Sequence, residues 1–287
     1  MNGNNVVGRS FTQSAFQNEV PLAAMPVNNM LVAREAAPKG DIVLAGENIT
    51  ISHDGKTTIL TDFNLTLRQG EIVSILGPSG VGKSSLLRIL GGLERAQSGV
   101  VKIHGEEISK VHPRLSMAFQ NPCLLPWLNV YKNVAFGLNF KHQPKLKSQV
   151  RNQRIERALR EVNLEDAGAL MPAQLSGGMA SRVALARCLA RQPDVLLLDE
   201  PFGALDAITR GQMQQLLIKI ISDYQSAALL ITHDIEEALK VSDRVLLIGG
   251  TPGHLLGKWD LSALRQSGND SLMALTIQNE IMQKLAH

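Results

Sequence analysis

From Asp41 onward the apolar positions change period twice. "IVLAGENITIS", "FNLTL" and "EIVSILG" are rich in β-branched residues in near alternation and are separated by polar turns such as "HDGK" and "RQGE", a pattern that predicts strands. "SGVVKIHG" and "LSMAFQ" extend this β-rich half. From Asn129 to Arg191 the period becomes mainly helical: Val150, Ile155, Ala158, Leu159 and Val162 keep one apolar side through a strongly charged segment. Strands return in "DVLLLDE", bounded by Pro193 and Pro201, and in "SAALLIT" and "DRVLLIG". Such short unbroken apolar runs fit strands covered on both faces. Between them Ile208, Met213, Leu216, Leu217, Ile220 and Ile221 recur at helical spacing. The expected fold is α/β, a parallel sheet with crossover helices and a helical insertion.

The ends differ from this middle. Residues 1–40 are rich in Asn, Gln, Ser, Ala and Pro without a sustained period, which predicts a flexible N-terminal extension. Residues 251–287 hold one candidate strand, "HLLGKW", and a final helix, and no internal repeat is visible.

Composition narrows the function classes. With 287 residues and 44% hydrophobic content, the chain can bury a full core as one elaborate domain. A net charge of +3 from 29 basic and 26 acidic side chains gives no general grip on nucleic acid. No apolar run approaches the ~18 to 20 residues of a membrane helix, and the N-terminal stretch lacks the plan of a secretory signal. Cys123 and Cys188 stand far apart without metal-ligand spacing, as expected of reduced thiols in a cytoplasmic protein.

The chemistry is concentrated in two short patterns. Gly77-Pro78-Ser79-Gly80-Val81-Gly82-Lys83-Ser84, followed by Ser85, is GxxxxGK[ST] placed between an apolar strand and a helix. Glycines let backbone N–H groups converge on phosphate oxygens, and the helix N-terminus adds its positive dipole end. Lys83 supplies a point charge and Ser84 a hydroxyl for Mg²⁺. At the end of "VLLLDE", Asp199 is placed to hold Mg²⁺ through water and Glu200 to orient and activate an attacking water. A second anion-binding turn, "LSGG" at Leu175–Gly178, opens another helix.

With "LSGG" added, the chain resembles the ATP-binding subunits of ABC transporters from about Asp41 to Gly250. The resemblance rests on order: the P-loop at 77–84, Gln120 ending a strand, Ser176-Gly177-Gly178, Asp199-Glu200, "ALD" at 204–206, then His233. It implies a P-loop NTPase with a RecA-like core, an antiparallel β subdomain and an α-helical subdomain inserted at about 121–192, followed by a tail from 251. It implies ATP and Mg²⁺ as ligands, and a homodimer in which Ser176, Gly177 and Gly178 of one subunit close on the γ-phosphate held by the other. Gln120 would join the Mg²⁺ shell, His233 would contact the γ-phosphate and the attacking water, and Asp206 would link the two sites, although Asp206 reads equally well as a helix-start residue. Asp234 followed by Glu237 fits a capping box and needs no catalytic role.

Two departures from the family pattern stand out. His53 is the nearest ring where many relatives stack a tyrosine on adenine, and Ala180 and Ser181 follow "LSGGM" where a basic or polar residue and a glutamine are usual. Within the family, "NPCLLPWLNVYKNVAFGL" at 121–138 is most similar to the importers of nitrate, sulfonates, taurine and related small anions, and places permease docking there. A substrate-binding protein in the same system, and a peripheral position on the cytoplasmic face of the inner or cell membrane, are implied with it. The rival classes are a small-molecule kinase, a soluble ABC ATPase acting on DNA or ribosomes, and an exporter subunit. The first has no need of "LSGG", the second usually brings paired cassettes or long coiled coils, and the third is disfavoured by the 121–138 resemblance.

Overall fold

In chain order, β1 (Ile42–His53) and β2 (Thr57–Arg68) form a long hairpin, followed by β3 (Ile72–Leu76), α1 (Lys83–Leu90), β4 (Ser98–Ile103), β5 (Glu106–Ile108) and β6 (Leu115–Ala118). Three helices come next, α2 (Val130–Ala135), α3 (Ser148–Glu161) and α4 (Gly177–Ala190). The chain then alternates through β7 (Val195–Asp199), α5 (Ala207–Tyr224), β8 (Ala227–Ile231), α6 (Ile235–Val241) and β9 (Arg244–Gly249). It closes with β10 (His254–Asp260), α7 (Ser262–Gln266) and α8 (Ser271–Ala286). This is a computed structural model describing residues 40–53, 55–140, 143–203, 205–267 and 270–286. The extension expected at 1–40 lies outside the described residues except for Gly40, as does Ala204 of "ALD".

The strands separate into a four-stranded antiparallel sheet, β2-β1-β4-β5, and a six-stranded sheet, β10-β9-β3-β8-β7-β6. In the larger one β9, β3, β8, β7 and β6 run parallel and β10 pairs antiparallel with β9. Strand periodicity divides the side chains of β7 and β8 between two cores. Leu196, Leu198, Ala228 and Leu230 face the core shared with α2, α3 and α4, whereas Val195, Leu197, Ala227 and Leu229 face the core shared with α1 and the antiparallel sheet. Both faces are therefore covered, which is why these strands read as continuous apolar runs.

Helical periodicity fails only where a helix leaves the core. Ile155, Ala158, Leu159 and Val162 are buried, but Val150 in the first turn of α3 is exposed, as is Ile208 in the first turn of α5. Backbone bonds between Gly253 and both Ile59 and Thr61 fasten β2 to the turn after β9. Arg265 of α7 donates to the carbonyls of Leu239, Lys240 and Ser242 at the end of α6, satisfying groups that a helix terminus leaves open.

For function, the decisive consequence is directional. Because β3, β6, β7 and β8 are parallel, the loops after them emerge on one edge of the sheet, where ligands bind in open α/β folds. Those loops begin at Gly77, Phe119, Glu200 and Thr232.

Candidate active site

After β3 the chain turns so tightly that the Ile248 carbonyl occupies the place a Cβ on Gly77 would need. Gly82, with φ 100°, is the N-cap of α1, and a Cβ there would come within 2.9 Å of the Ile59 side chain. Val81 is buried, so the loop is pinned on both sides while Pro78, Ser79 and Gly80 stay exposed. α1 starts with no side-chain cap and no acidic residue in its first turn. Among the described residues, no backbone N–H from Gly80 to Ser85 donates to a protein acceptor. Those donors, at a helix N-terminus, form a cradle for phosphate oxygens.

Lys83 completes the cradle. Its ammonium is largely buried and donates to the carbonyls of Gly77 at 2.7 Å and Pro78 at 2.8 Å. Burial holds its pKa below the ordinary lysine value, while Glu200 and Asp199 pull it back up. An arriving polyphosphate would favour the charged form in the same sense as these carboxylates.

The acidic side of the site comes from the end of β7. Ser84 Oγ donates to Asp199 Oδ1 at 3.2 Å. Burial raises the Asp199 pKa, with the Ser84 bond opposing the rise and the neighbouring Glu200 adding to it. A hydroxyl beside a half-buried carboxylate is the hard-oxygen pairing that Mg²⁺ accepts. Next to it, Glu200 sits at φ 44°, a left-handed conformation that a non-glycine residue adopts at some cost and that recurs at functional sites. Its backbone N–H donates to the Ile231 carbonyl at 2.9 Å, anchoring it across β8. One carboxylate oxygen accepts from Gln120 Nε2 at 3.1 Å and the other lies 3.2 Å from His233 Nδ1. Three loops thus meet on one carboxylate. Gln120 stands two residues beyond the end of β6 rather than at it.

The capping box expected at Asp234 is half formed. Asp234 accepts from the Glu237 N–H at 3.0 Å, but its own N–H goes to Thr232 Oγ1 at 3.1 Å. The Glu237 carboxyl, buried and with its pKa raised by burial, takes the Thr232 hydroxyl instead.

The other residues singled out from the sequence lie elsewhere in the chain. Ser176 caps α4, accepting from Met179 N–H at 3.2 Å, and Gly177 faces open space. A Cβ on Gly178 would meet Thr209 at 2.7 Å, so this glycine sets the approach of α4 to α5. Among the described residues no hydrogen bond joins 176–178 to the phosphate loop. Asp206 caps α5, accepting from Ile208 and Thr209, which is its helix-start reading. His53 ends β1 in the hairpin turn, where its carbonyl accepts from Lys56. Ser181 points into an apolar cleft lined by Phe119, Pro122, Leu185 and Phe202.

Two residues that hold the 121–138 region escaped the sequence reading. Arg187 of α4 donates to the carbonyls of Cys123 and Pro122 at 2.9 and 2.8 Å, tying the signature helix to the segment after Gln120. Asn133 is fully buried and its amide bonds Leu125, Leu128 and Asn129, fixing the turn that leaves Trp127 71% exposed. Single polar letters inside apolar helices were the only signals for both.

A phosphate cradle after the central strand β3, with carboxylates at the end of β7 one strand beyond its neighbour β8, defines a P-loop ATPase, here with an antiparallel lobe and a helical insertion. The family model described as "ABC transporter" matches residues 60–203. The aliphatic sulfonates import ATP-binding protein SsuB 1 of Xanthomonas axonopodis pv. citri is 46% identical over 233 residues, 77% of this chain and 92% of its own. The bicarbonate transport ATP-binding protein CmpD of Synechococcus elongatus is 38% identical, covering 78% and 81%. Among solved structures, the dimeric post-hydrolysis state of the ATP-binding cassette MJ0796 with ADP and Pi is similar, with TM-score 0.67, 32% identity and coverage of 76% and 98%. The chain belongs to the ABC transporter family, as one of its ATP-binding subunits.

Proposed function

We propose that this chain is the ATP-hydrolysing subunit of an importer for a small anion such as nitrate, a sulfonate or taurine. The observation that carries the reading is the meeting of Gln120, Glu200 and His233 beside the Ser84–Asp199 pair, at the mouth of the Lys83 cradle. The triphosphate of ATP is received by the free N–H groups of residues 80–85 and by Lys83, whose ammonium leaves the Gly77 and Pro78 carbonyls for phosphate oxygens. Ser84, Asp199 and Gln120 would hold Mg²⁺, which neutralises phosphate charge when bound. Glu200 and His233 position one water in line with the γ-phosphorus. As its oxygen attacks, the bond to the ADP oxygen breaks and the water proton passes to Glu200, the group within reach of both Gln120 and His233.

A second copy completes the chamber. Ser176, Gly177 and Gly178 close on the γ-phosphate held by the partner, and Asp206 lies at the same interface. ATP then joins the two subunits, and its cleavage weakens the joint. His53 supplies the ring for adenine. Residues 121–138 receive a permease segment, and Arg187 links that dock to the signature helix. A substrate-binding protein delivers cargo from the other side, so the subunit sits peripherally on the cytoplasmic face of the membrane. No described helix is long and apolar enough to cross it.

Glu200→Gln tests the core of this reading. ATP binding should persist, steady hydrolysis should fall by about 10²–10⁴-fold, and size-exclusion chromatography with ATP should show a trapped dimer. Undiminished hydrolysis refutes the assignment.

A further inference from the structure

α8 presents two apolar faces. On the inner one Ile281 is fully buried, and Ala274 and Ile277 pack with it against Leu239, Leu261 and Leu264. On the outer one Leu272, Leu275 and Met282 are 73, 54 and 54% exposed. With Met273 and Leu285, this one helix carries five of the fifteen exposed large hydrophobic side chains among the described residues. A helix that packed on one side alone would turn polar residues outward.

Spacing and charge define what the outer face fits. Leu272, Leu275, Asn279, Met282 and Ala286 advance by alternate steps of three and four residues, the repeat of a seam between two helices. The single asparagine stands at the middle position, and one polar residue in such a seam sets its register. The two charged side chains of α8 are turned away from it: Glu280 accepts from Trp259 Nε1 at 2.8 Å and Lys284 donates to the Leu256 carbonyl at 2.9 Å, both on β10. The stripe is therefore neutral along the whole helix, whose 16 residues span roughly 24 Å. A second copy laid on it meets no like charge, as a self-complementary two-fold contact requires. Lipid fits less well, because an interfacial helix flanks its apolar face with lysine and arginine.

We propose that α8 pairs with α8 of a second copy of this chain along residues 272–286, with or without nucleotide. The pairing deepens the two-subunit reading above, on which it rests. α8 packs on α6, and α6 starts two residues after His233, so the seam belongs to the lobe that carries the catalytic edge. One helix pair buries less surface than a stable independent dimer needs, so alone it gives a dissociation constant on the order of 0.1 mM. Beside the nucleotide interface it keeps the partner at high local concentration. The subunits then stay together when phosphate release opens the chamber.

Sedimentation equilibrium of the full-length protein without nucleotide reads this pairing apart from ATP-driven closure. The unaltered chain should dimerise with the constant given above. Leu275→Glu with Met282→Glu should weaken association by about 100-fold, because each apolar contact is lost from both copies and like charges then face each other. Leu275→Lys with Met282→Lys should do the same. An equimolar mixture of the two double variants should associate again, since opposite charges now meet across the seam. In a Glu200→Gln background both double variants should still dimerise with ATP, which shows that fold and phosphate site are intact. Absence of that ATP-dependent dimer in Glu200→Gln alone would count against the proposed function and not against the α8 pairing. A chain still monomeric without nucleotide at about 1 mM, self-association untouched by the glutamate pair, or a mixture that stays monomeric would each overturn the proposal.

Discussion

Asn133→Leu should loosen one turn while leaving the catalytic edge intact. Asn133 is 0% exposed, its Oδ1 accepts from Leu125 N–H at 2.8 Å, and its Nδ2 reaches the carbonyls of Leu128 at 2.8 Å and of Leu125 and Asn129 at 3.2 Å. Leucine keeps the volume and removes every one of these bonds. A net hydrogen bond is worth about 1 kcal/mol, and stranding a buried backbone group costs about 1 to 3 kcal/mol. Leu125 and Leu128 are only half-buried, so water can satisfy part of what they lose. α2 itself keeps its cap, because Asn129 Oδ1 still accepts from Lys132 N–H at 2.9 Å. The balance is a loss of about 2 kcal/mol in urea denaturation, taken chiefly as opening of the 124–129 turn. By hydrogen exchange the Leu125 and Leu128 amides should then exchange about 30-fold faster, since about 1.4 kcal/mol is a factor of ten. Basal ATP hydrolysis should stay near normal, and stimulation by the permease should fall. Unchanged exchange at Leu125 would refute the account of what Asn133 holds.

Two further outcomes follow from buried ionisable groups. Cys188 is buried, its Sγ donates to the Met117 carbonyl at 3.3 Å, and burial pushes its pKa up to about 11 from 9.0. The folded state therefore keeps this proton more tightly than the unfolded chain, so stability is undiminished below the ordinary thiol pKa and falls as pH rises towards 11. That loss is about 3 kcal/mol, it should be absent in Cys188→Ala, and at pH 8 a thiol reagent should label exposed Cys123 alone; fast labelling of Cys188 in the folded protein contradicts this. Glu71 and Arg244 are 11 and 13% exposed. Arg244 Nη2 donates to Glu71 Oε2 at 3.3 Å and to the Thr66 carbonyl, so Arg244→Met leaves a buried carboxylate held by the Arg68 N–H but without this cation, at a cost of about 3 kcal/mol at neutral pH. Burial already raises the Glu71 pKa against the pull of Arg244. Removing the arginine raises it further, so the deficit should shrink as pH falls and Glu71 is protonated; a deficit independent of pH contradicts this.

What the sequence made legible was local. GxxxxGK[ST], "LSGG" and "VLLLDE" are contiguous, and their backbone consequences, an uncapped helix start, a serine N-cap and a strand-end carboxylate, depend on near neighbours. Short apolar runs bounded by prolines and polar turns located the parallel strands, because a fully covered parallel sheet is apolar on both faces. Legibility ended where a residue's partner is distant in sequence. Glu200 gives no sign in the sequence of its left-handed backbone, nor of its N–H bond to the distant Ile231. Arg187 is one of many arginines until Pro122 and Cys123 are folded against it. Glu237 followed the capping-box spacing yet bonded Thr232, since a tertiary position outranked a local rule.

The same division bears on the proposed chamber shared between two subunits. The polar side chains on the phosphate side are tied to others in the chain, Lys83 to Gly77, Ser84 to Asp199, and Gln120 and His233 to Glu200. The Ser176 turn is instead organised outward, with its hydroxyl used internally as a cap and Gly177 facing open space. An N-terminus of this kind, at the start of a 14-residue helix, keeps its dipole for an anion that its own chain does not supply. α4 is also fixed through Arg187 to the Pro122 and Cys123 carbonyls after Gln120, so on the proposed function an anion gripped at one end of the helix should shift those carbonyls near the other. On that proposed reading, closure on nucleotide and movement of the permease dock are one event of α4, and Arg187→Ala should separate them: ATP-dependent dimerisation retained, permease-stimulated hydrolysis lost. Joint loss of both would place the coupling elsewhere.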